Sequence, residues 1–87
     1  MRAIVVFREK SDYAREVFTF LDDFRRRTGK KIEIVDPDTR DGEGFCQVYN
    51  IVEYPTILGL DSSGKVLASW RGLPLPRIDS VSYYAEG

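Results

Sequence analysis

The chain has no histidine and a single cysteine, Cys46, among its 87 residues. One cysteine cannot close an internal disulfide, so no disulfide framework is expected. Without imidazole, and with one thiol, the usual ligand sets for zinc or haem are missing, and no cofactor or metal is expected. Charge of one sign is also missing. Thirteen basic residues face fourteen acidic ones, for a formal net charge of −1. That balance supplies no whole-domain field to draw in nucleic acid or an anionic membrane. Long apolar runs are absent too. Residues 3–7, beginning with Ala3, form an apolar run too short for a signal-peptide core or a membrane span. A cytoplasmic location is the expectation that follows.

What remains is the composition of one globular domain, 43% hydrophobic and 31% charged. No repeat, linker or low-complexity segment divides it, so residues 1–87 are read as a single domain. Residues 3–7 are a continuous β-branched and aromatic run, which reads as a strand buried on both faces. A polar loop follows at Arg8, Glu9 and Lys10. Ser11 reads as an N-cap, with Asp12 in the first turn of a helix running to about Thr28. Tyr13, Ala14, Val17, Phe18, Phe20, Leu21 and Phe24 give that helix a wide apolar stripe. Arg25, Arg26 and Arg27 close its last turn and Gly29 ends it. Residues 31–35 are a second strand, so the first three elements make a βαβ unit with parallel strands. Residues 39–43 read as loop or first turn, and residues 44–49 as a short helix packed through Phe45, Val48 and Tyr49. A strand from Pro55 to about Leu60 and another over residues 65–71 flank a turn with Gly64 at a left-handed position. Val66, Ala68 and Trp70 are expected on one face of the second of these. Residues 72–76 form a stiff connector, Pro76 opens a final helix carrying Ile78, Val81 and Tyr84, and residues 85–87 are expected to fray.

The residues Tyr49, Asn50, Ile51, Val52, Glu53, Tyr54, Pro55, Thr56 and Ile57 resemble the Tyr-Gly-Ile-x-x-x-Pro-Thr segment of the thioredoxin superfamily. Gly64 and Gly72 match the hairpin and post-strand glycines of that family. The resemblance implies an α/β, thioredoxin-like fold in the order βαβαββα, with a four-stranded mixed sheet and helices on both faces. Its strand order would be second, first, third, fourth, with the third and fourth antiparallel to the rest. It also implies a cis peptide at Tyr54–Pro55, beside the family's active site. Pro at the first position of a strand gives up only one ladder donor.

The chemistry that the resemblance would bring is missing. Redox members carry Cys-x-x-Cys where the first strand meets the first helix, where the helix N-terminus favours a thiolate. Here those positions fall on Ser11 and Ala14, or on Asp12 and Arg15. A serine cannot exchange with a disulfide. Nor is there a histidine to act as its base, so Ser11 reads as a cap, with anion binding at the helix start as the alternative.

Cys46 has two readings, a small apolar packing residue or a reactive thiol that is exposed and of low pKa. The run of Arg25, Arg26 and Arg27 with Lys30 and Lys31 reads first as helix-end charge and second as a phosphate contact. Asp36, Asp38, Asp41 and Glu43 do not match the ligand spacing of a calcium loop and read as turn and cap residues. The leading functional expectation is a non-catalytic module that binds a protein or extended peptide. Its groove would be built from Arg8, Glu9, Lys10, Ser11, Asp12, Tyr13, Glu53, Tyr54, Pro55 and Thr56. One alternative is a single-thiol redox protein that forms a mixed disulfide through Cys46. Another is a cysteine-independent regulatory module in the manner of the clock protein KaiB, which is also thioredoxin-like.

Overall fold

A computed structural model of the chain describes residues 1–86. Among these residues the elements are β1 (Arg2–Val6), α1 (Ala14–Thr28), β2 (Glu33–Val35), α2 (Arg40–Tyr49), β3 (Thr56–Leu60), β4 (Val66–Arg71) and α3 (Ile78–Ser82). The four strands form one mixed sheet in the order β2-β1-β3-β4. β1 and β2 are parallel, and β3 is antiparallel to both β1 and β4. Only β3 therefore opposes the others in direction. The expectation that β4 shares that direction is corrected by the tight turn, which must reverse the chain and so returns β4 parallel to β1.

Alternation along the strands splits the core in two. Ala3 and Val5 of β1, Phe7 just after it and Ile57 of β3 face α1 and α3, where they meet Val17, Phe24 and Val81. Ile4, Val6, Leu58 and Leu60 face the other way, toward Cys46 of α2 and Ile51 just after it. Every residue from Ala3 to Phe7 is buried because β1 is an interior strand covered by helices on both sides. Fully burying a side chain such as Phe24 stabilises by about 1.5–3 kcal/mol. The apolar stripe of α1 buries Ala14, Val17 and Phe24, while Phe18 stays 42% exposed, its ring edge against Phe7.

Several boundaries differ from the sequence reading, each for a local reason. α1 begins at Ala14, two residues late, and Ser11 is not its cap. The Ser11 hydroxyl donates to the Arg8 carbonyl at 2.6 Å, and the Ser11 carbonyl accepts from the Ala14 N–H at 3.2 Å. The serine is thus spent on closing the loop, and the first-turn acid is Glu16 rather than Asp12. α2 begins at Arg40, four residues early, capped by Thr39, whose Oγ1 accepts from the Gly42 N–H at 3.0 Å. Gly42, in the first turn of α2, is required by proximity. A Cβ there would lie 1.8 Å from the Asp36 carbonyl oxygen.

In the hairpin, Gly59 pairs with Ala68 and Leu60 with Val66, so Leu67 is an extra residue. That bulge breaks the alternation and takes Val66 out of phase with Ala68 and Trp70. Val48 is 78% exposed rather than packed. α3 starts at Ile78, after Pro76 and Arg77. Ala85 is buried, and the Glu86 carbonyl accepts from the Lys31 N–H at 3.1 Å, so residues 85 and 86 are held rather than frayed. The expectation for Gly87 lies outside the described residues. No helix among them is long and apolar enough to cross a membrane.

Candidate functional site

The register Val6↔Thr56↔Arg71 brings the exits of β1 and β4 and the entry of β3 to one end of the sheet. The loop after β2 joins them, because the Phe7 N–H donates to the Val35 carbonyl at 3.1 Å. Arg8 is the centre of this end. Its guanidinium carbon lies 4.8 Å from the centroid of the Tyr54 ring, and its Nε donates to Asp38 Oδ1 at 3.0 Å. Its backbone N–H donates to the Tyr13 hydroxyl at 3.3 Å. One residue thus ties together the loops that carry Tyr13, Asp38 and Tyr54, the first through its backbone and the other two through its side chain. Each tie is modest, because the groups are exposed and water and salt screen them. The Glu9 N–H reaches Asp36 Oδ2 at 3.4 Å and adds a fourth tie.

The segment before β3 is fixed from inside. Thr56 is fully buried, and its hydroxyl donates to the Glu53 carbonyl at 2.6 Å. Pro55 is buried, and its carbonyl accepts from the Gly72 N–H at 2.7 Å. The Tyr54–Pro55 peptide is cis, as is Leu73–Pro74. Gly72 has φ +76°, and a Cβ there would lie 2.6 Å from Glu53 Oε2, so the carboxylate sits over bare backbone. The outer side of the segment is open. The N–H groups of Val52, Glu53 and Tyr54 have no hydrogen-bond partner among the described residues, and Val52 is 81% exposed. These are main-chain donors without an internal partner on a bent stretch, next to an aromatic ring capped by a cation.

Cys46 lies behind this surface rather than on it. It is 8% exposed, on α2, in the core cluster that includes Tyr54 at its margin. Burial, and then the neighbouring Cys46 thiol, push the Tyr54 phenol above its ordinary range, against a smaller lowering by the Arg8 guanidinium. At neutral pH the ring is therefore a neutral hydrogen-bonding group.

Among the residues singled out from the sequence, Arg8, Tyr13, Glu53, Tyr54, Pro55 and Thr56 come together, and Glu9 joins them through its backbone. Ser11 serves the loop. Lys10 and Asp12 are exposed, with no side-chain hydrogen bond or ion pair among the described residues. Asp38, a turn residue by its sequence, is also the partner of Arg8. The signal for it is topological: loops that follow two parallel neighbouring strands emerge at the same end of the sheet, so Arg8 and Asp38 had to be close. Among the described residues no group of three or more His, Cys, Asp or Glu side chains is arranged to hold a metal ion.

With this geometry in hand, the chain can be set beside known proteins. It superposes on thioredoxin 1 from the thermophilic eubacterium Thermosipho africanus with a TM-score of 0.67, over 97% of this chain and 89% of that one. The fold is thioredoxin-like. Identity in the superposition is 13%, so the likeness is one of fold alone. No protein-family model matches the sequence, and no curated protein matches it either. Against this thioredoxin-like frame, the junction between β1 and α1 carries Arg8, Ser11 and Tyr13 and no sulfur, since the only cysteine of the chain is Cys46.

Proposed function

We propose that this domain is a non-catalytic thioredoxin-like module that binds an extended protein or peptide segment along residues 52–54. The observation that carries the reading is the row of unpartnered N–H groups at Val52, Glu53 and Tyr54, flanked by the Arg8–Tyr54 pair. An extended chain laid there gains main-chain hydrogen bonds, as in strand addition, and selects its partner by what it places on Tyr54 and Tyr13. Arg8, Lys10, Glu53 and Asp38 form a mixed-charge rim that acts mainly on association rate and choice of partner. The absence of a thiol at the β1–α1 junction removes dithiol exchange from the site. Burial of Cys46 supports its role as a packing residue over that of a mixed-disulfide former.

The test is peptide selection against the immobilised domain, followed by amide chemical-shift mapping of the selected peptides. Shifts centred on residues 8, 13 and 52–56, with Tyr54→Ala weakening binding at least about tenfold, are expected. Shifts confined to β4 and α3 would refute the groove. In the insulin turbidity assay with dithiothreitol no acceleration over the uncatalysed rate is expected, and an acceleration lost in Cys46→Ser would overturn the non-catalytic reading.

A further inference from the structure

The opposite end of the sheet holds an open cavity of about 730 Å³ between the end of α1, the segment leading to β2 and the start of β1. Its charged lining consists of Arg2, Arg25, Lys30 and Lys31 against Glu33 and Glu86. The two carboxylates are already served. Glu33 takes a two-pronged contact from Arg2, at 2.8 and 2.9 Å, and Glu86 lies 3.8 Å from the Met1 amine. Lys30 Nζ donates one hydrogen to the Ser82 carbonyl at 2.9 Å and retains two. Arg25 and Lys31 have no side-chain partner among the described residues. Among the described residues Arg25, Lys30 and Lys31 therefore have no carboxylate in contact, although Lys31 acts on Glu33 at longer range. The four basic side chains of the cavity outnumber its two acidic ones by two, on a chain whose net charge is −1.

Compensation of the α1 dipole does not account for them. The dipole is equivalent to about half a charge at the helix end. Arg27 stands in the same last turn without lining the cavity, and is available to offset it. Three further cations exceed what one helix end requires.

From this arrangement we infer that the cavity binds a phosphate group, either inorganic phosphate or the monoester of a small non-aromatic molecule. Arg25 offers a planar fork that matches two phosphate oxygens, and Lys30 and Lys31 add point charges. No aromatic side chain lines the cavity, so no base or ring is stacked there. Its volume lies within the range of small-molecule sites, which leaves room for a short polyol behind the phosphate.

The experiment is a titration of the full chain with inorganic phosphate and, separately, with glycerol phosphate, at constant ionic strength set by chloride and followed by amide and arginine Nε chemical shifts. Saturable shifts confined to Arg2, Arg25 and residues 29–33 are expected. Arg25→Gln and Lys31→Gln are each expected to weaken binding about tenfold, the worth of one charge-assisted hydrogen bond. Lys10→Gln, at the other end of the sheet, should leave it unchanged. Tighter binding of glycerol phosphate identifies an ester as the ligand, and equal affinity identifies the phosphate group alone. Shifts spread equally over Arg8, Lys10 and the cavity, or affinity unchanged in both cavity variants, would overturn the inference. Neither result bears on the groove at residues 52–54.

Discussion

Thr56→Val tests whether the binding segment is preorganised from below. The Thr56 side chain is fully buried, and its hydroxyl is the only group inside the fold that holds the Glu53 carbonyl among the described residues. Valine replaces that hydroxyl with a methyl group at a point 2.6 Å from the carbonyl oxygen, well inside van der Waals contact for carbon and oxygen. The variant loses a hydrogen bond worth about 1 kcal/mol net and must also move the carbonyl away. Glu53 is exposed, so water can take over part of the lost bond, and the total is expected at about 1–2 kcal/mol. For a domain of this size that lowers Tm by roughly 4–8 °C per kcal/mol.

Thr56→Ser is the control. It keeps the hydroxyl and loses one buried methyl, at a cost of about 1 kcal/mol. Urea unfolding alone will not separate the two variants, but amide exchange and chemical shifts will. In the valine variant, changes are expected at residues 53–55 and at Gly72, whose N–H is bonded to the Pro55 carbonyl. In the serine variant they should stay in the core around Val6 and Leu58. A valine variant within about 0.5 kcal/mol of the parent, with residues 53–55 undisturbed, would refute the role given to this hydrogen bond.

Three further outcomes are expected. Cys46 should react slowly with a thiol reagent under native conditions and quickly in denaturant, and Cys46→Ala should cost about 1 kcal/mol; rapid native labelling would contradict its 8% exposure. Gly59→Ala should cost about 1–3 kcal/mol, because a Cβ there would lie 2.6 Å from the Tyr84 ring. That cost should fall when Tyr84 is also truncated, and strict additivity in the double-mutant cycle would count against a steric cause. Glu33 is held below its usual range first by its hydrogen bond from Arg2, and Asp61 by hydrogen bonds from the Ser63 hydroxyl and the Lys65 N–H. Both carboxylates take up protons more readily in the unfolded chain, so their contribution is present at neutral pH and is lost as pH falls below about 4. Urea midpoints measured down the acid range should decline less steeply in Asp61→Asn than in the parent.

Much of the fold is written locally. The apolar run at residues 3–7 can only be an interior strand, the stripe from Ala14 to Phe24 only a helix with one buried face, and Asp61 to Gly64 only a tight turn. These follow from side-chain period and backbone sterics, which act within a few residues. The segment from Tyr49 to Ile57 points to the fold in another way, through its resemblance to the thioredoxin superfamily.

What local sequence could not decide depends on distant neighbours. Residues 39–43 read as loop or first turn until Thr39 is seen to cap α2 and the Asp36 carbonyl to lie against Gly42, and Ser11 reads as a cap until the Arg8 carbonyl claims its hydroxyl. Val66 belongs with Ala68 and Trp70 until pairing with β3 inserts Leu67. At the candidate site, the sequence supplied Arg8, Tyr13 and Tyr54 as members of one end of the sheet. Only the tertiary structure seated the Arg8 guanidinium on the Tyr54 ring and gave it Asp38 as a partner. The cavity at the other end is of the same kind. Arg2 stands more than twenty positions from Arg25, Lys30 and Lys31, and a field that depends on distance in space is set by how the sheet brings them together.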